Sequence, residues 1–209
     1  MSVYLYLSIF LFICCMVVIF TNVFTRKAVR EEFSQKVKMD IPIEQMQISE
    51  ERIKDFFVRY ELKAGESISE IAKILKIKEG GSEEGILGQA RISEPNADGE
   101  MIVTYKNDLA AEERKFLLAH ECAHIINGDP VPNARPDGEN KPEIEQIADY
   151  TAAALLMPLD LVYDYLEDNK YKEKSSKKRV GIVKNLCKMY EVSELIALRR
   201  IIEVYKLKS

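Results

Sequence analysis

The sequence predicts an α+β chain, mostly helical, with a small β-hairpin or sheet beside one polar-cored helix and a single membrane-type helix in front. Three observations carry this. Residues 3–20 form an apolar run interrupted only by Ser8. Several later segments repeat apolar residues at helical spacing, each bounded by a capping or breaking residue. Two short β-type stretches flank Pro95-Asn96-Ala97-Asp98-Gly99, the composition of a hairpin turn.

The apolar run, extended by residues 21–24, is long enough at about 1.5 Å per residue to cross a ~30 Å hydrocarbon core as one helix. It lacks the positive start and small-residue cleavage site of a signal peptide. Arg26, Lys27 and Arg30 follow it and no Lys or Arg precedes it, so the positive-inside rule places the rest of the chain in the cytoplasm of a single-pass cell-membrane protein. Glu31 and Glu32 contribute little to that rule. Cys14 and Cys15 fall within the span; with Cys122 and Cys187 they make no paired framework, as expected of a reducing compartment.

The reading gives three regions: an anchor over 1–24, a charged stalk over 25–48 broken at Pro42, and one domain over 49–209. About 180 residues remain beyond the anchor, enough for one core. A formal net charge of -4 gives no global nucleic-acid signature. There is no internal repeat. Ser49 is expected to open a helix carrying Ile53, Phe56, Phe57 and Tyr60 and ending at Gly65. Ser67-Ile68-Ser69-Glu70 reads as a capping box for a helix with Ile71, Ala72 and Leu75, closed at Gly80-Gly81. Residues 86–93 and 101–105 form the hairpin. Residues 101–105 are either a sheet edge that could take an extended peptide as an added strand or an ordinary core strand.

Both histidines of the chain lie in His120-Glu121-Cys122-Ala123-His124. On a helix, residues four apart share a face, so both imidazoles can reach one metal ion. Glu121 lies about 100° round from His120, close enough to take the proton of a bound water. Cys122 is on roughly the opposite side and reads as core. Asn107 or Asp108 can cap this helix, Glu112 and Glu113 suit its first turn, and Gly128 stops it. Phe116, Leu117, Ala119, Ala123 and Ile126 supply its apolar stripe, and a buried helix with hydrogen-bonded histidines is the competing reading. Asn127 and Pro130 stand where a metzincin needs glycine and a third ligand, which excludes that class.

Glu145-Gln146-Ile147-Ala148-Asp149 places two carboxylates four apart on a second helix. Glu145 can complete a His₂Glu zinc site, and Asp149 can accept a ligand imidazole's free N–H. Glu143 is the alternative ligand, off the face that Glu145 and Asp149 share. Ile144, Ile147, Ala148, Thr151 and Ala152 surround them with apolar positions. Residues 127–142 hold four of the seven prolines and two glycines, an irregular loop that includes Arg135. Helices follow over 159–167, 180–190 and 193–207. The basic stretch 170–179 reads as a solvated loop, or a contact for anionic lipid or an acidic partner. The last two helices resemble a helix-turn-helix faintly and read as domain packing.

Phe116-Leu117-Leu118-Ala119-His120-Glu121, with Glu145-Gln146-Ile147-Ala148-Asp149-Tyr150-Thr151-Ala152-Ala153-Ala154-Leu155-Leu156-Met157-Pro158, resembles the ImmA/IrrE metallopeptidases. Their pattern is R-F-x-x-A-H-E-x-x-H, then E-x-x-A-N/D-x-F-A-A-x-L-L-M-P. Lys115 stands for the arginine and Thr151 for the phenylalanine. The resemblance covers roughly residues 50 to 205. It implies a zincin-like domain, zinc on His120, His124 and Glu145, and Glu121 as general base. It also implies a protein substrate, a helix-turn-helix repressor of mobile elements or stress genes, and hence a role in transcription regulation. A non-proteolytic protein that sequesters such a repressor is the alternative. With no third histidine, Tyr105, Arg135, Tyr150 and Tyr163 are candidates to stabilise the oxyanion.

Overall fold

The computed structural model describes residues 41–84, 89–129 and 143–209. The compact unit that holds them runs from Asp40 to Ser209. Among the described residues no helix is long and apolar enough to cross a membrane. The apolar run at 3–20 and most of the predicted stalk lie outside them, as do residues 86–88 of the first hairpin stretch and Arg135.

Helix α1 (Ile43–Arg59) begins at Pro42, whose fixed φ suits a helix start, and not at Ser49. Ser49 lies inside it among the buried residues Met46, Ile53, Phe56 and Phe57, which recur at helical spacing. Residues 43–48, expected in the stalk, are therefore helix, and Ile41 before them is buried. The helix stops before Gly65. Glu61 takes the left-handed conformation at φ 53°, and the Leu62 N–H turns back to the Phe57 carbonyl.

Helix α2 (Ile68–Ile74) is capped as its sequence predicts, the Ser67 Oγ accepting the Glu70 N–H at 3.3 Å. It is short, because Lys76 at φ 58° turns the chain straight into strand β1 (Ile77–Glu83). Gly80 and Gly81, expected to close the helix, lie in that strand at a register shift between Glu79 and Ser82. A Cβ on Gly80 would come within 2.8 Å of Ile102 Cγ2, so the close approach of β1 to its neighbour requires glycine there.

The hairpin forms between β2 (Ala90–Ile92) and β3 (Met101–Lys106), antiparallel with Ile92 opposite Val103. Asn96 Oδ1 accepts the N–H groups of Asp98 and Glu100, both at 2.9 Å, and Gly99 supplies φ 74°. The sheet order is β1-β3-β2, with β1 parallel to β3. Residues 101–105 are thus the central strand, and the core-strand reading replaces the edge reading. Met101, Val103 and Tyr105 point inward together, the period-two signature of a half-buried strand.

Helices α3 (Ala111–Asn127) and α4 (Glu143–Leu156) pack against each other and form the centre of the unit. Helices α5 (Leu159–Asp168), α6 (Ser176–Tyr190) and α7 (Glu194–Leu207) follow, and α7 packs on α1, α4 and α5, as domain packing requires. The basic stretch is not simply a solvated loop. It holds a 3₁₀ turn (Tyr171–Glu173) and the start of α6, and Arg179 Nε donates to the Tyr171 carbonyl at 3.1 Å.

Arg200 of α7 is fully buried. Its Nε donates to the Met157 carbonyl at 2.8 Å, Nη2 donates to Glu50 Oε1 of α1 at 2.7 Å, and Glu203 Oε2 lies 3.7 Å from Nη1. The same Glu50 oxygen accepts the Tyr150 hydroxyl at 2.7 Å. One buried guanidinium therefore ties α7, α1 and the end of α4. Burial pushes the Glu203 carboxyl up to about 7, against the pull of Arg200 and Arg199.

A carboxyl whose folded value lies above its unfolded value binds its proton more tightly when folded. Stability is therefore lost as pH rises through the window from 4.5 to about 7. Glu203→Gln removes that loss. Measured by thermal unfolding, the stability of the variant relative to wild type should improve between pH 5 and pH 8, by up to ~3 kcal/mol. An unchanged difference at the two pH values would contradict the assignment.

Candidate metal centre

The centre is built by α3 and α4. Helix α3 starts at Ala110 rather than at Asn107 or Asp108, and the Glu113 carboxylate reaches back to accept the Ala110 N–H at 2.9 Å. It ends as expected at Gly128, left-handed at φ 77°. Between them His120, Glu121, His124 and Asn127 are all buried, an unusual polar load for one helix face. Phe116 and Ile126 are only half-buried, whereas Leu117, Ala119 and Ala123 lie in the core. Cys122 is also core, with no exposed surface, and burial pushes its thiol well above the usual range.

Helix α4 brings Glu145 and Asp149 to that face, both buried, while Glu143 is exposed. His120, His124 and Glu145 each offer one donor atom, all within 4.8 Å of one another. The two Nε2 atoms stand 2.9 Å apart, and Glu145 lies 3.2 Å from His120 Nε2 and 3.4 Å from His124 Nε2. Glu143 takes no part in this group.

Each imidazole is held from behind. His120 Nδ1–H donates to Asp149 Oδ1 at 2.8 Å, the contact that the E-x-x-x-D spacing suggests. His124 Nδ1–H donates to Asp129 Oδ2 at 3.1 Å, a partner the sequence reading missed. The left-handed Gly128 folds the chain back, so the Asp129 N–H bonds the His124 carbonyl at 2.8 Å while its carboxylate meets the ring of the same residue. The usable signal was the aspartate directly after a glycine stop, five residues beyond a histidine.

These contacts leave both Nε2 lone pairs facing Glu145, as a shared cation requires. The electrostatics agree. Burial opposes a charge on His124, but hydrogen bonding and charge from Glu145, with the carboxylates of Glu121 and Asp129, outweigh it and raise the ring's proton affinity. Burial opposes the Glu145 charge too, but the two imidazoles hold its carboxyl far below the usual range. Two imidazoles and a carboxylate converging in a field that favours positive charge are compatible with a metal ion.

The family's departures are accommodated. Thr151 is buried, and its Oγ1 donates to Asn127 Oδ1 at 3.3 Å, a bond between α4 and α3 in place of aromatic packing. Lys115 keeps a cation and ties α3 to the end of α6, donating to the Tyr190 carbonyl and to Glu191 Oε2, both at 2.8 Å. Two oxyanion candidates have other work. The Tyr105 hydroxyl donates to Glu79 at 3.1 Å and the Tyr150 hydroxyl to Glu50. Tyr163 packs edge-on against Tyr205.

A model of the Peptidase M78 family, the IrrE N-terminal-like domain, matches residues 86–201. The match takes in both metal-site helices and is shorter than the stretch the motifs suggested. No curated protein matches the chain.

If the group holds a metal ion, loss of either supporting carboxylate should weaken its binding without abolishing it, with zinc as the probe. For Asp149→Asn and Asp129→Asn, competition with a chromophoric chelator is expected to show affinity lower by about 10- to 100-fold. Wild-type affinity in Asp129→Asn would mean that this contact orients nothing.

Proposed function

The chain belongs to the Peptidase M78 (IrrE N-terminal-like) family, and on that premise we propose that it is a membrane-anchored, zinc-dependent endopeptidase. The observation that carries the reading is the convergence of buried His120, His124 and Glu145 beside a buried Glu121. A site that only shapes a surface has no need of a carboxylate next to its ligands.

His120 and His124 would hold the ion through Nε2 and Glu145 through its carboxylate, with Asp149 and Asp129 fixing the rings. Zinc bound there supplies Lewis acidity, which makes water a nucleophile near neutral pH and polarises a peptide carbonyl. Glu121 acts as the general base: its carboxylate takes the proton of the attacking water and returns it to the leaving amine. Leu117, Ala119 and Ala148 of the same two helices are buried, and a site set in such a core strengthens the charge interactions within it.

The anchor, the cytoplasmic orientation and the substrate rest on the sequence. The apolar run at 3–20 and the cations after it support a single-pass membrane protein with its catalytic domain in the cytoplasm. The family resemblance supports a DNA-binding helix-turn-helix repressor as the protein cut.

Glu121→Gln keeps the shape of the side chain but cannot accept the proton. It should retain zinc and lose ~10²- to 10⁴-fold in cleavage rate. Cells producing wild type or Glu121→Gln would be compared by mass spectrometry of protein N-termini, with a reporter for the repressor's target genes. The expected result is a new N-terminus in a cytoplasmic repressor, and derepression, with wild type only. Equal derepression by Glu121→Gln with the repressor intact would replace cleavage by sequestration.

A further inference from the structure

Arg199 stands on α7, a helix that contributes nothing to the His–His–Glu group, yet its guanidinium reaches the layer behind it. Nη1 lies 3.9 Å from Asp149 Oδ2, and Nε lies 4.0 Å from Glu203 Oε1. The other oxygen of Asp149 is the one that accepts His120 Nδ1–H. The Asp149 and Glu203 side chains are buried, 9% and 4% exposed, and that of Arg199 is 16% exposed. Glu203 is in turn 3.7 Å from Arg200 Nη1, and Arg200 is pinned to Met157 and Glu50. Ionisable groups thus run in contact from α1 through α7 to the ring of His120.

We propose that Arg199 is a positioning residue of the metal centre, acting on His120 through Asp149. The inference rests on the reading of His120 as a metal ligand. A carboxylate has two oxygens, and a cation beside one of them fixes which is left to accept from a neighbour. With Arg199 on the Oδ2 side, Oδ1 remains on His120 Nδ1, which keeps the tautomer and turns Nε2 to the metal. At 3.9 and 4.0 Å these contacts lie beyond hydrogen-bond distance and act through charge. Charge, not the shape of the guanidinium, is therefore what the site needs from this position.

The test is zinc affinity of the full chain, measured against a chromophoric chelator, with thermal unfolding of the metal-free protein alongside. Arg199→Met, which keeps the apolar stem, should lose about 10-fold in affinity. Arg199→Lys should stay within about threefold of wild type, because it restores the charge. In an Asp149→Asn background Arg199→Met should add no more than about twofold, since its route runs through Asp149. If Arg199→Met fails to fold, Arg199→Gln takes its place in both backgrounds.

A loss of equal size in both backgrounds, or no rescue by Arg199→Lys, would overturn the proposal and leave Arg199 a brace between helices. Wild-type affinity in Arg199→Met, with Glu145→Ala severely weakened, would overturn the positioning role alone. No zinc binding by wild type, or wild-type affinity in Glu145→Ala, would instead overturn the metal-centre reading on which it rests.

Discussion

A neutral imidazole offers one lone pair, and which nitrogen carries it depends on what the other nitrogen donates to. In this chain both rings donate backwards, His120 to Asp149 and His124 to Asp129, so that both Nε2 atoms face Glu145. The remaining features of the site follow from that constraint. It requires α4 to lie against α3 with Asp149 one turn beyond Glu145. It also requires α3 to stop at a residue that can turn the chain back onto its own last histidine. Gly128 meets the second need, and the burial of α4 from Ala148 to Leu156 meets the first.

Burying this many polar groups on one helix pair is costly unless each finds a partner. The imidazoles meet that need on carboxylates, whereas Arg199, Arg200 Nη1 and the Glu203 oxygens face one another at 3.7–4.0 Å, beyond hydrogen-bond distance. Such ionic layers are weak evidence for stability, because desolvation offsets much of the attraction. Their effect here is geometric. They join α1, α4 and α7, which holds a site whose described residues come from two helices.

The helices that bring His120, His124 and Glu145 together were legible because their pattern is periodic: His120 and His124 four apart, Glu145 and Asp149 four apart, and an apolar stripe beside each. The hairpin was legible from Asn96 to Gly99, where turn residues have a mechanical reason to occur. Helix ends were less so. Ser49 resembles a cap, but its side chain is buried mid-helix, and Pro42 starts the helix through its backbone. Gly80 reads as a breaker, but it serves the tight packing of β1 on β3. Asp129 and Arg199 were missed for another reason. Each acts across a turn or between helices that no single periodicity links, so only the folded chain shows what they touch.

X-ray absorption at the zinc K-edge of the full-length protein tests the central claim most directly, because it reads the atoms around the ion. Two imidazole nitrogens at ~2.0–2.1 Å with oxygen scatterers at ~2.0–2.2 Å and no sulfur are expected for His120, His124 and Glu145. Substitution of Glu145 by alanine should remove the ion or one oxygen. A sulfur shell near ~2.3 Å would implicate a cysteine such as Cys122, and a chain that takes up no zinc would contradict the account altogether.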